Sequence, residues 1–327
     1  MTPFKKRYPK NSAGSLMTDR VPIALMGDLI FEVEKYLKRK KAELESINYI
    51  YVVDSQGTLK GAVSIKEIFR QNKKRKISEF IIDPLISVNP SVRGEKVANL
   101  ALKNNIKSVP VVDRSGVFLG VVLSDTILAI AYREIQEDIA LLAGVNRPEN
   151  FKDFKTLSSF SALKNRLPWL IIGMMGGFIM SKTITSFEST LKDNLIIASF
   201  IPLIVYMGAA VQTQIGYFIV RDLAFNPKIN FLLYIWKQLR VVFLIGLSSS
   251  FLLFLFAFLI YGNLLLVTIL AVAMFLAILS SIITGVCIPF IFHRFKFDPA
   301  SASGPIATIL QDLISIIIYL LVAKSFL

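Results

Sequence analysis

The sequence predicts two parts of different class: an α+β module over roughly the first half and an all-α set of five membrane-spanning helices over the second. Three observations carry this. Of the 37 Lys/Arg and 23 Asp/Glu in the 327 residues, only nine and five lie beyond residue 166. Apolar runs of about 20 residues, long enough to cross a hydrocarbon layer about 30 Å thick, recur only beyond that point. Before it, one strand-and-turn pattern occurs twice. The mean hydropathy of +0.59 is high for a soluble chain, and the second part supplies it.

The repeated pattern reads YIYVVDSQGTLKGAVSIKEIF at 49–69 and SVPVVDRSGVFLGVVLSDTIL at 108–128. Superposed, Val53-Asp54 meets Val112-Asp113, Gly57 meets Gly116 and Gly61 meets Gly120. Each copy is a β-rich strand, a D-x-x-G turn, a second strand and a helix start. The Asp side chain bonds its own backbone in such a turn, and Gly supplies positive φ. Helix-like stretches precede both copies, Asp28–Lys41 and Arg93–Lys103, so a β-α-β-β-α unit is expected twice. Ala131–Val145 continues with helical periodicity towards the membrane part.

This arrangement resembles tandem CBS domains, the Bateman module. The resemblance implies a dimerising sensor, with adenine nucleotides as one ligand class, held through a Ser/Thr followed three residues later by Asp. The matching positions are Ser64 and Glu67 in the first copy and Leu123 and Thr126 in the second. Neither set completes the pattern, so Ser64 and Glu67 are the candidates for a nucleotide that the sequence alone leaves open. Residues 73–76, KKRK, form either a solvated basic loop or a contact with anionic lipid or another acidic surface.

The apolar runs fall at Pro168–Phe187, Leu195–Val220, Val241–Tyr261, Leu264–Phe292 and Ser303–Ala323. Five spans put the termini on opposite sides. Lys164 and Arg166 precede the first span. Arg221, Lys228, Lys237 and Arg240 separate the second and third, and His293, Arg294 and Lys296 the fourth and fifth. The positive-inside rule makes that side cytoplasmic, with the C-terminus outside. A multi-pass cell-membrane protein is expected, its lipid bilayer the first partner. Small residues (Gly173, Gly177, Gly208, Ala209, Ala210, Ser280, Ser281, Thr284, Gly285) suit close helix packing.

Five acidic residues follow residue 166: Glu188, Asp193, Asp222, Asp298 and Asp312. Four sit at span ends or in loops. Asp312 is nine residues past Ser303, about 13 Å deep at about 1.5 Å per residue. A charge at that depth is costly unless it meets water, a cation or a partner. No basic residue of another span lies at a comparable depth. Asp312 is therefore a candidate on an ion or proton path, with a protonated Asp satisfied by hydroxyls such as Thr308 as the alternative. Gln212, Thr213 and Gln214 form a second polar cluster in the second span, with oxygens suited to a hard cation or its water shell.

Other chemistries are excluded. One cysteine, Cys287, and one histidine, His293, allow neither an internal disulfide nor a Cys/His zinc site. There is no Walker A, GxSxG or HExxH sequence, so the chain does not read as an enzyme. The basic N-terminus lacks an apolar h-region and is not a signal peptide. The net charge of +14 comes with no nucleic-acid motif.

Taken together, the CBS-like stretch, Arg166-Leu167-Pro168-Trp169, the five spans and DPASASGPIATILQD at 298–312 resemble the MgtE family of magnesium transporters. The resemblance runs from about residue 15 to 327, and the family's acidic N-terminal superhelical domain has no match in it. It implies a basic tail (1–15), tandem CBS domains (16–78 and 79–145), a plug-like connecting helix (146–166) and a transmembrane domain (167–327). It implies a homodimer with a pore on its axis, gated by the CBS pair, with Mg²⁺ as transported ion and regulatory ligand. The aspartate matching Asp312 holds the hydrated ion, and a carbonyl matching that of Thr308 assists. The family's second-helix pattern, roughly G-G-N-x-G-T-Q, is here Gly208-Ala209-Ala210-Val211-Gln212-Thr213-Gln214, and a third-helix glutamate is Gln238. These departures keep a poorly active or non-conducting sensor as the alternative.

Overall fold

A computed structural model of the chain describes residues 8–82, 85–145, 158–192, 194–226 and 229–327. The chain divides into two compact units, Met1–Glu134 and Ile135–Leu327.

In the first unit, α1 (Ala13–Leu16), β1 (Ile23–Leu25) and α2 (Ile30–Lys40) lead to the hairpin β2 (Tyr49–Val53) and β3 (Leu59–Ser64), then α3 (Ile65–Arg70). The second copy runs α4 (Gly94–Lys103), β4 (Ser108–Val112), β5 (Phe118–Leu123) and α5 (Ser124–Leu142). β1 pairs parallel with β2, and each copy contains an antiparallel hairpin. α2 buries Ile30, Val33 and Leu37 against Ile50, Val52 and Val63. α4 buries Val97, Ala98 and Ala101 against Val109, Val111 and Val122. A stripe at helical spacing meets alternate strand positions in both cases, which is why the repeat forms two similar cores.

The turns follow the expected chemistry. The Asp54 carboxylate accepts from the N–H groups of Gln56 and Thr58 at 2.9 Å each, and Asp113 does the same for Ser115 and Val117 at 2.8 and 2.9 Å. The Thr58 N–H, followed by Lys60 and Gln56, holds the Asp54 carboxyl below the usual carboxylate range against some desolvation. Gly57 and Gly116 sit at φ +81° and +82°, where an L side chain would be strained.

The copies also lock into each other. Leu59 N–H donates to Gly116 C=O and Phe118 N–H to Gly57 C=O, both at 3.0 Å, so one hairpin tip pairs with the other. Tyr51 stacks on Phe118, and its hydroxyl lies 2.7 Å from Ser108 Oγ. Burial pushes this phenol up to about 12. The flanking segments cross over: Ile82 edges the first copy's sheet at Ala62, and Thr18 edges the second copy's at Val121.

The second unit holds five helices long and apolar enough to cross a membrane: Ala162–Thr185, Leu195–Ala224, Phe231–Tyr261, Leu264–Arg294 and Pro305–Phe326. They belong to α6 (Ser159–Thr185), α8 (Leu195–Phe225), α9 (Phe231–Tyr261), α10 (Leu264–Ile282) with its continuation, and α13 (Pro305–Phe326); α7 (Glu188–Lys192) is a short link. α10 is the central helix, with Val267, Ile269, Leu270, Ala273, Ala277 and Ile278 fully buried. A π-helical turn, Ile283–Cys287, joins α10 to α11 (Ile288–Arg294), and α12 (Pro299–Ser303) precedes α13.

Several expected boundaries move. The third membrane helix begins at Phe231, ten residues before Val241, capped by Asn230 Oδ1 on Leu233 N–H. Lys237 and Arg240 ride on the helix rather than in a loop, because long cationic side chains extend their heads to water from a helical backbone. The last helix starts at Pro305 rather than Ser303, after a break at Gly304 where a Cβ would meet Leu142 C=O at 2.6 Å. Asp312 is then seven residues in, about 10 Å rather than 13 Å. Gly173 and Gly177 have no neighbour for a Cβ within 4 Å, and Gly176 instead meets Ile309. Most of the expected connecting helix, the first part of the N-terminal tail, Asp193 and Lys228 lie outside the described residues.

Candidate ion pathway in the membrane helices

α13 carries the candidate residues on two faces. At about 100° per residue, Thr308 and Asp312 lie about 40° apart, one turn from each other, while Gln311 is turned about 100° from Asp312 and about 60° from Thr308. Gln311 is fully buried and Asp312 is half-buried. Asp312 Oδ1 is shut off from solvent and has no hydrogen-bond partner among the described residues.

α8 brings Gln212 to the same helix. Its side chain is fully buried, and its Oε1 accepts from Thr308 Oγ1 at 3.3 Å. Thr308 Oγ1 also lies 3.2 Å from Gly304 C=O, the ordinary backbone acceptor one turn earlier. Thr213 Oγ1 lies 3.5 Å from the same Gln212 oxygen but makes the shorter bond, 2.9 Å, to Ala209 C=O. Gln214 is exposed on the isolated chain. Of the candidates in the second span, then, Gln212 meets α13 through Thr308, and Thr213 and Gln214 face outwards.

Gly208 touches α13 in a different way. A Cβ there would come within 2.5 Å of Ser315 Oγ and 2.9 Å of Gln311 Nε2. Its value to this region is close approach, leaving room for two polar side chains of α13.

Gln311 is the residue that sequence reasoning missed. Its Oε1 accepts from Thr284 Oγ1 at 2.5 Å, and its Nε2 donates among Ser280 Oγ (3.0 Å), Ser315 Oγ (3.0 Å) and Ala277 C=O (3.2 Å). The signal was present as Ser280 and Thr284, four apart on one helix, and Gln311 and Ser315, four apart on another. Gln238, in place of a glutamate, donates to Tyr234 Oη at 3.3 Å; that hydroxyl donates to Asp222 at 3.2 Å, and Asp222 pairs with Arg221 at 2.8 Å.

An open cavity of about 720 Å³ lies beside Thr308, walled by Gly144, Trp169, Gly173 and Pro305, with Arg166 at its edge. In the first unit, Ser64 is the N-cap of α3 without a side-chain cap bond. Glu67 accepts from Gln71 Nε2 at 2.8 Å and lies 3.7 Å from Arg70. No group of three or more His, Cys, Asp or Glu side chains that could hold a metal ion occurs among the described residues.

The chain is similar to known proteins. A family model described as "Divalent cation transporter", MgtE, matches residues 201–322, and a CBS domain model matches 13–73 and 77–132. The magnesium transporter MgtE of Bacillus subtilis is 31% identical over 322 residues, covering 98% of this chain and 70% of that protein. The MgtE of Thermus thermophilus is 30% identical over 326 residues, covering 97% and 70%. Among solved structures, the cytosolic domain of the Mg²⁺ channel MgtE in complex with ATP is 32% identical over 38% of this chain and 50% of that chain, with a TM-score of 0.37.

Proposed function

Because the chain belongs to the MgtE family, a family of multi-pass membrane transporters and not of enzymes, we propose that it conducts Mg²⁺ passively through a pathway at which Asp312 holds the ion. Membership of the family carries transport of a divalent cation, with Mg²⁺ the ion named for its relatives. The observation that carries the finer reading is the Asp312 carboxylate: about 10 Å into a span, with one oxygen buried and unpartnered among the described residues. In lipid such a group is expensive, and a hydrated dication removes the expense. Thr308 supplies oxygen one turn earlier, and Gln212 supports Thr308. Mg²⁺ gives up water reluctantly, so one carboxylate, neutral oxygens and retained waters suit it.

A single chain offers the ion one membrane-depth carboxylate. A two-fold homodimer with Asp312 near its axis offers two, matching the charge of the ion. The open faces at Gly173 and Gly177 support this assembly. The distribution of Lys and Arg supports a cytoplasmic first unit and an outward C-terminus. The CBS pair is the gating element of this reading, with Mg²⁺ as its regulatory ligand and Ser64 and Glu67 as the residues nearest to any bound nucleotide. The driving force is the membrane potential, worth about 2.3 kcal/mol per charge per 100 mV.

The test is Mg²⁺ influx into proteoliposomes. Asp312→Asn keeps the shape and removes the charge, and influx is expected to fall at least tenfold at unchanged reconstitution. Wild-type influx from that variant would overturn the assignment. No influx from the parent protein would instead favour a non-conducting sensor.

A further inference from the structure

We propose that Gln311 is a positioning residue for the ion pathway: its amide fixes the rotation of α13 so that Thr308 and Asp312 present their oxygens together. This deepens the reading of Asp312 above and rests on it.

The argument starts from helical geometry. Adjacent residues of an α-helix are about 100° apart, so fixing the direction of Gln311 fixes that of Asp312. Besides Gln311, α13 is tied to α8 by two single hydroxyl bonds, Thr308 Oγ1 to Gln212 Oε1 at 3.3 Å and Tyr319 Oη to Ile197 C=O at 2.6 Å, and neither engages two ends of one group as the amide does. The surroundings of α13 are otherwise mostly apolar, and apolar side chains in lipid gain nothing from hiding against one another. A helix held by such contacts tolerates rotation. A planar amide with both ends engaged does not, because its oxygen and its nitrogen need different partners on opposite sides.

The engagement is complete. Gln311 Oε1 receives the Thr284 hydroxyl, and Nε2 has Ser280, Ser315 and Ala277 C=O within reach. Three of these four partners belong to α10 and its π-helical continuation, the central and most buried part of the unit. The fourth, Ser315, is on α13 itself and aligns the amide along its own helix. Gly208 on α8 leaves the space that the amide and Ser315 Oγ occupy. The π-helical turn adds a residue to the fourth span just where Thr284 meets the amide. The central helix thus holds α13 at one dry polar layer, from which Thr308 is one turn and Asp312 one residue away.

The experiment measures Mg²⁺ influx against external Mg²⁺ for the full chain in proteoliposomes, normalised to folded, reconstituted protein. Gln311→Leu removes both ends of the amide, and Thr284→Val removes the oxygen's donor with little change of shape. Positioning predicts that the half-saturating Mg²⁺ concentration rises at least threefold in both, with Gln311→Asn falling between parent and Gln311→Leu. It also predicts that Asp312→Cys, in a Cys287→Ser background, reacts with a small cationic thiol reagent at a rate altered at least threefold by Gln311→Leu. A purely structural role lowers yield and thermal midpoint but leaves half-saturation and labelling rate per folded molecule unchanged, and that result would overturn the inference. If Gln311→Leu does not fold, Thr284→Val decides by the same criterion. Asp312→Asn is run alongside. Retained influx there removes the underlying pathway reading. Lost influx there, with unchanged half-saturation in the Gln311 and Thr284 variants, removes only the positioning role.

Discussion

Gly208 and Ser315 contend for one space. The glycine's missing methyl is what lets Ser315 Oγ and Gln311 Nε2 lie against α8. Overpacking a tight site costs about 1–3 kcal/mol. Gly208→Ala is therefore expected to destabilise the chain by about that much, and Ser315→Ala in the same chain to recover part of the loss, because neighbouring substitutions couple. Thermal unfolding in detergent, followed by tryptophan fluorescence, gives both values; an unchanged midpoint for Gly208→Ala would refute the close-approach role. At this scale the sequence exposes some residues and hides others. A carboxylate in an apolar run is visible because its cost is large and local. Gln311 was passed over because an amide is tolerated in lipid when it has partners, and three of its four partners, Thr284, Ser280 and Ala277, are 27 to 34 residues away on another helix. Gly208 stood out as a small packing residue and as the first glycine of the second-helix pattern, but which neighbour it admits is a matter of helix packing.

Elements were legible in proportion to how local their cause is. The two hairpins could be read because Asp54, Gly57, Asp113 and Gly116 set their own turns. The crossing of Thr18 to the second copy and of Ile82 to the first could not, since a sheet edge accepts any extended segment that topology delivers. The early start of α9 was obscured by Lys237 and Arg240, whose charges suggested a loop although their stems are compatible with a helix near the interface. The connection between α9 and α10 shows the opposite case. Gly262, at φ +63°, ends one helix, and Asn263 begins the next with its Oδ1 on Leu266 N–H at 3.2 Å. Two residues reverse the chain between spans. Loss of such a cap costs about 1 kcal/mol, so Asn263→Ala is expected to lower the thermal midpoint while Asn263→Asp or Asn263→Ser retains it. Equal midpoints for Asn263→Ala and the parent would show that packing of α9 on α10 alone sets the turn.

For the whole molecule, the division between a charged α+β unit and an apolar helical unit followed from composition alone. The subunit arrangement is the prediction that belongs here. With Cys287→Ser as background, a cysteine at Leu313, the neighbour of Asp312, is expected to form a disulfide between two copies in native membranes. Absence of any cross-linked dimer with transport intact would exclude a pathway on a two-fold axis. The interlocked hairpin tips have a consequence during synthesis. When the first copy has left the ribosome, Leu59 N–H and Gly57 C=O have no partner of their own chain until Gly116 and Phe118 emerge. A nascent chain alongside on the same message carries identical groups. Exchange of second copies between neighbours would satisfy every one of these bonds, and what opposes it is the higher effective concentration of the copy attached to the same chain. Slowing translation between residues 70 and 108 lengthens the interval in which the tips are open, and with it the fraction of chains that fold into each other.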